Sequence, residues 1–64
     1  MDNIAKKMIE LRGERTREEV AKAIGVRVSA VGMYENGERI PRDFIKIRIA
    51  KYYNRSVEEI FFAE

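Results

Sequence analysis

A glycine at position 25, set between two short stretches of helical apolar spacing, constrains this chain more than any other residue. Upstream of it, Thr16-Arg17-Glu18-Glu19 opens a helix: the Thr16 hydroxyl takes a free amide of the first turn, and Glu19, three residues on, returns to the Thr16 amide as a capping box. Val20, Ala21 and Ile24 then recur on one face, and Gly25 takes the left-handed backbone that ends a helix, which cuts it off after about two and a half turns. A second short helix is predicted from about Val28 to Glu35. It stops at Asn36-Gly37, both tolerant of left-handed backbone. Residues 16–37 are therefore two brief helices hinged at a turn.

Length fixes what surrounds this unit. A chain of 64 residues buries only about 60% of its unfolded surface, so a single domain over residues 1–64 is expected. It has no cysteine and no histidine. That excludes disulfides and the usual zinc sites, predicts neither metal nor cofactor, and leaves stability to helix packing or association. No run approaches the roughly 20 apolar residues that cross a bilayer, and Asp2 and Glu10 interrupt anything like a secretion signal, so a cytoplasmic chain with no membrane partner is expected.

Net charge is only +2, but the first 56 residues hold thirteen basic against eight acidic residues, and residues 57–64 hold three glutamates and no cation. That asymmetry suits a body facing a polyanion and a tail facing elsewhere, although ordinary solvated helix faces account for the same charge count.

Taken in order, Asp2 or Asn3 caps a first helix whose Ile4, Met8 and Leu11 fall on one face, and Gly13 ends it after Arg12. Only Gly13-Glu14-Arg15 separates that end from the Thr16 cap. On the helix from Val28, Ala30, Val31 and Tyr34 share an inward face, while Val28, Ser29, Gly32, Met33 and Asn36 share the opposite one. Two short helices across a glycine turn make a helix-turn-helix, whose second helix enters the major groove of DNA. An outer face of valine, glycine and methionine is not what solvation selects, since a mid-helix glycine costs about 1 kcal/mol against alanine.

Glu38-Arg39-Ile40-Pro41-Arg42 reads as a loop, with the proline barring helix before it and favouring one after it. Helix follows over about Arg42 to Tyr53. Ile45-Lys46-Ile47-Arg48-Ile49 alternates as a strand would, but an isolated strand has no partner, and Ile45, Ile49, Tyr52 and Tyr53 also fit helical spacing. Phe44 and Ile47 are left without an inward address. Asn54 closes this helix, Ser56-Val57-Glu58-Glu59 caps a short terminal one, and the C-terminal helices together span about 42–62. Val57, Ile60 and Phe61 reach the core from it. No nucleophile stands beside a base, because Ser29 and Ser56 are a groove residue and a helix cap, so no catalytic residue and no enzyme activity are expected.

Thr16-x-Glu18-Glu19-Val20-Ala21, Gly25-Val26 seven residues before Gly32, Tyr34-Glu35-Asn36-Gly37 with Pro41 four further on, and Ala50-Lys51-x-x-Asn54-x-Ser56-Val57-x-Glu59-Ile60-Phe61 occur here in one order. From about Ile4 to Phe62 the chain resembles the phage-repressor-like helix-turn-helix family, the lambda-repressor-like group that includes Cro and Xre proteins. The resemblance implies an all-α, compact five-helix DNA-binding domain. It further implies a transcriptional regulator, commonly a repressor that binds a symmetric double-stranded operator as a homodimer, associated with the nucleoid when bound.

Three departures stand out. Arg17 replaces the family's usual glutamine, Arg27 replaces its usual Ser or Thr cap, and the first interhelical connection is two residues shorter. The shortening puts Arg12 where the family's helix-1 arginine pairs with the glutamate matched by Glu35, so Arg12 and Glu35 are expected to form a structural ion pair.

On this reading Val28, Ser29 and Met33 lie against base edges, Arg27 reaches a guanine or a phosphate, and Gly32 admits the backbone closely. Arg17, Asn36, Arg39 and Arg42 hold phosphates. Phe62, with Phe44 or Ile47, forms a dimer interface, unless Phe62 folds back to finish the core. The competing function is a protein-binding module on the same fold, such as an antitoxin or antirepressor, gripping a protein partner through the acidic, aromatic C-terminus.

Overall fold

The computed structural model describes residues 3–62, all helical or connecting segments with no strand among them. In order these are α1 (Asn3–Arg12), α2 (Arg17–Ile24), α3 (Val28–Glu35), α4 (Asp43–Tyr53) and a terminal helical turn (Glu58–Phe62). Asp2, one of the two expected caps of α1, lies outside the described residues, and Asn3 is already the first helical residue.

One apolar cluster joins all five elements. Met8 of α1, Val20 and Ile24 of α2, Val31 of α3 and Ile49 of α4 are fully buried, and Ile60 and Phe61 close the cluster from the terminal turn. Ile4 and Leu11 pack at its edge. On α4, Ile45, Ile49 and Ala50 are buried and Ile47 is exposed, so the alternating isoleucines obey helical and not strand periodicity.

The chain turns where its backbone chemistry permits. Gly25 has φ +75°, and both its amide and that of Val26 bond to the Ala21 carbonyl, at 2.9 and 3.0 Å. Asn54 ends α4 in the same left-handed region, with φ 56°. At the end of α3 only Gly37 does so; Asn36 stays right-handed.

Thr16 Oγ1 accepts from the Glu19 amide at 3.0 Å, but the Glu19 carboxylate makes no return bond, so half of that capping box forms. The second box forms completely: Ser56 Oγ accepts from the Glu59 amide at 3.0 Å, and Glu59 Oε1 from the Ser56 amide at 2.9 Å. The turn that follows is wound as a π-helix, a wider coil than the α-helix expected for it, and the adjacent Ile60 and Phe61 are both buried on it.

The Ser56 backbone N–H, and then its hydroxyl, hold the Glu59 carboxyl below its usual range. A carboxyl depressed in the folded state contributes stability above its unfolded pKa and loses it as pH falls through the folded value. Glu59→Gln is therefore expected to melt below wild type at pH 7. The gap should narrow below about pH 4, as circular-dichroism melts at several pH values will show.

Candidate nucleic-acid interface

The residues that would meet DNA are set by how α2, α3 and the segment 38–42 pack. α3 starts without a side-chain cap, because its N-cap residue is Arg27, which is exposed at the helix's leading end. Val31 and Tyr34 turn inward, Ala30 is half-buried, and Val28, Ser29, Met33 and Asn36 turn out. Val28 remains 40% and Met33 37% exposed. Eight residues of α-helix are about 12 Å long, and the major groove is about 12 Å wide.

Pro41 is buried, which pins the connection to α4 and swings Arg39 and Arg42 outward beside α3. A groove of about 450 Å³ results, lined among others by Arg27, Ser29, Met33, Arg39, Arg42 and Phe44. Three guanidinium-bearing residues and two of the expected base-facing residues thus border one concavity. Asn36 is exposed at the far end of α3, where its amide donates to Glu38 Oε1 at 3.2 Å.

Gly32 departs from expectation. Periodicity places it on the bare face, but it is buried, because the Arg17 side chain crosses from α2 and lies over it; a Cβ there would stand 3.3 Å from Arg17 Nη1. Gly32 is therefore covered by the Arg17 side chain and is not on the bare face of α3. Its hydrogen makes room for the arginine.

The same arginine joins an ion cluster at the base of α3. Glu35 is 2% exposed. Arg12 donates to both of its oxygens, Nε to Oε2 at 2.7 Å and Nη2 to Oε1 at 3.3 Å. Arg17 Nε donates to Oε1 at 3.1 Å. A buried carboxylate needs such partners, and the hydrogen bond to it raises the Arg12 guanidinium further above its already high range. Arg12 Nη1 also donates to the Arg15 carbonyl at 2.8 Å, and the Arg15 guanidinium lies over Tyr52 and Tyr53, 5.6 and 5.5 Å from their ring centroids. The short α1–α2 connection is locked from both sides. Beside it, burial pushes the Tyr53 phenol above its usual range, and its hydroxyl has no hydrogen-bond partner among the described residues.

Sequence reasoning missed Arg48. Its Nη1 donates to the Ile24 carbonyl at 3.4 Å, and a Cβ on Gly25 would stand 2.7 Å from that nitrogen, so Gly25 supplies space as well as backbone freedom. The Arg48 guanidinium lies 5.1 Å from the Phe44 ring centroid. It braces the turn against α4, and nothing in the spacing of the sequence signals it.

The expected dimer residues are all on the surface: Phe44 and Ile47 on the outer face of α4, and Phe62, 64% exposed, on the terminal turn. Phe62 does not fold back into the core. Lys46, which also approaches Phe61, lies 5.3 Å from its ring centroid.

A family model described as helix-turn-helix matches residues 6–60. The chain is a member of the lambda-repressor-like, Cro/Xre-type helix-turn-helix family. Neither a curated protein nor a solved structure matches it. As a Cro/Xre-type domain it is an all-α, five-helix DNA-binding regulator, with α2 and α3 as its helix-turn-helix. No helix among the described residues of this Cro/Xre-type chain is long and apolar enough to cross a membrane.

Proposed function

We propose that this chain is a sequence-specific repressor that inserts α3 into the major groove of a two-fold symmetric operator. One observation carries the reading: the apolar outer face of α3 is open, and its rim is cationic. Val28 and Met33 press on thymine methyl groups, and Ser29 reaches a base edge. Arg27 takes a guanine or a phosphate beside them. Arg39, Arg42 and the Asn36 amide hold the strands and fix the register of the helix without reading sequence.

Operator symmetry follows from a homodimer. One short recognition helix gives limited specificity, and exposed Phe62 with Phe44 or Ile47 gives two copies an apolar surface to share. Two copies of α3 then stand about 34 Å apart, one turn of DNA. The same aromatic surface also suits a protein partner in an antitoxin or antirepressor, but the open face of α3 favours DNA as the principal ligand.

Fluorescence anisotropy on labelled duplexes tests the assignment. With about three phosphates neutralised per subunit, log Kd of the dimer should respond to log salt with a slope of magnitude about 5. Met33→Ala should relax base preference at one symmetric position by about 1–2 kcal/mol, whereas Arg42→Ala should weaken all duplexes alike and lower the slope by about one per subunit. A slope near zero removes the phosphate contacts, and equal losses on every sequence for both variants remove Met33 from the readout.

A further inference from the structure

The middle of the outer face of α3 has no side chain of its own, and α2 supplies one. Gly32 lies four residues after Val28 and four before Asn36, so the three share one stripe of the helix. Val28 and Asn36 are exposed; Gly32 is covered by the Arg17 guanidinium, whose Nη1 and Cζ stand 3.3 and 3.9 Å from where a residue-32 Cβ would be. The guanidinium thus fills the space that the outer atoms of a residue-32 side chain would take.

It is held there. Arg17 Nε donates to Glu35 Oε1 at 3.1 Å, and Arg12 fixes the same carboxylate from the other side at 2.7 Å. One of five guanidinium N–H donors is engaged. The Nη groups have no protein acceptor among the described residues, and the side chain is 44% exposed. An arginine free at the start of α2 would extend toward the strands. This one is drawn over Gly32 instead, on the stripe whose other two residues, Val28 and Asn36, are exposed.

Resting on the DNA-docking reading above, we infer that Arg17 is a base-reading residue, which presents its Nη fork to O6 and N7 of a guanine from its seat on Gly32. Glu35 is its positioning residue. The assignment supplies what α3 lacks: Val28 and Met33 have no hydrogen-bonding atoms, Ser29 is short, and a guanidinium fork is the side chain that matches a guanine edge in two bonds. Gly32 and Arg17 act as one unit, the glycine making the seat and the arginine occupying it.

The test compares wild type, Arg17→Gln and Gly32→Ala on a preferred duplex, on the same duplex with each G·C pair replaced in turn, and on an unrelated duplex, with melting curves alongside. Arg17→Gln should lose about tenfold or more in discrimination at one symmetric G·C pair, with its salt slope unchanged and its affinity for the unrelated duplex nearly so. Gly32→Ala keeps the arginine but crowds its seat, so it should stay folded, alanine's better helix propensity offsetting strain on the Arg17–Glu35 bond, and lose discrimination at the same pair.

A uniform loss on all duplexes, with the slope falling by about one per subunit, would make Arg17 a phosphate holder and overturn the inference. A lowered melting temperature with discrimination intact would make it a structural brace, and overturn it equally. Wild type that binds no duplex at all overturns the docking reading and this one with it, and is seen before any variant is made.

Discussion

Ile49→Ala is expected to cost about 3 kcal/mol of folding stability. Ile49 is wholly inaccessible to solvent and sits on α4 where that helix meets the rest of the apolar cluster. Truncation to alanine leaves a void in a cluster whose other members, Ile24 and Val31 among them, are themselves fully buried. Domains of this size hold about 0.05–0.15 kcal/mol per residue, which for this chain is about 3–10 kcal/mol in all. The substitution removes between a third and all of it. In thermal terms the melting temperature should fall by about 12–24 °C.

Ile47→Ala, two residues away and 49% exposed, should stay within about 0.5 kcal/mol of wild type. The contrast matters because Ile45, Ile47 and Ile49 alternate as in a strand. Urea denaturation of the two variants, with unchanged slope, checks both the core and the helical phase of α4. Equal losses would mean that the segment is not helical.

Arg12→Ala should be nearly as severe, at about 3 kcal/mol. It removes two of the three donors to Glu35, the buried carboxylate beneath α3, and the clamp on the Arg15 carbonyl as well. Only the Arg17 bond remains. Because an uncompensated buried charge costs more than the pair gains, removing Arg12 and Arg17 together should destabilise by more than the sum of the two single changes. A double-mutant cycle by chemical denaturation reads this directly, and strict additivity would mean that Glu35 does not share its two partners.

The sequence made some of this legible and hid the rest for physical reasons. Gly25, the Asn54 cap and the complete Ser56–Glu59 box are local events, settled by residues within a few positions of each other, and their signatures could be read along the chain. Arg12 with Glu35 could be placed because the resemblance implies that ion pair, the short connection aligning Arg12 with the family's helix-1 arginine. The fate of Gly32 could not, since it depends on the path of the Arg17 side chain across an interface, and periodicity on α3 carries no information about what α2 lays over it. Arg48 beneath the Gly25 turn escaped for the same reason. The π-winding of Glu58–Phe62 also lay beyond the pattern, because α and π turns of five residues share the same apolar spacing.

Whether base pairs cover the outer face of α3 is tested most directly by selection of bound sequences from a random duplex pool. The prediction is one enriched, two-fold symmetric sequence whose half-sites lie about 10 base pairs apart, with thymines opposite Val28 and Met33. A bound pool whose composition stays that of the starting mixture, at any salt concentration where the protein binds, would contradict it.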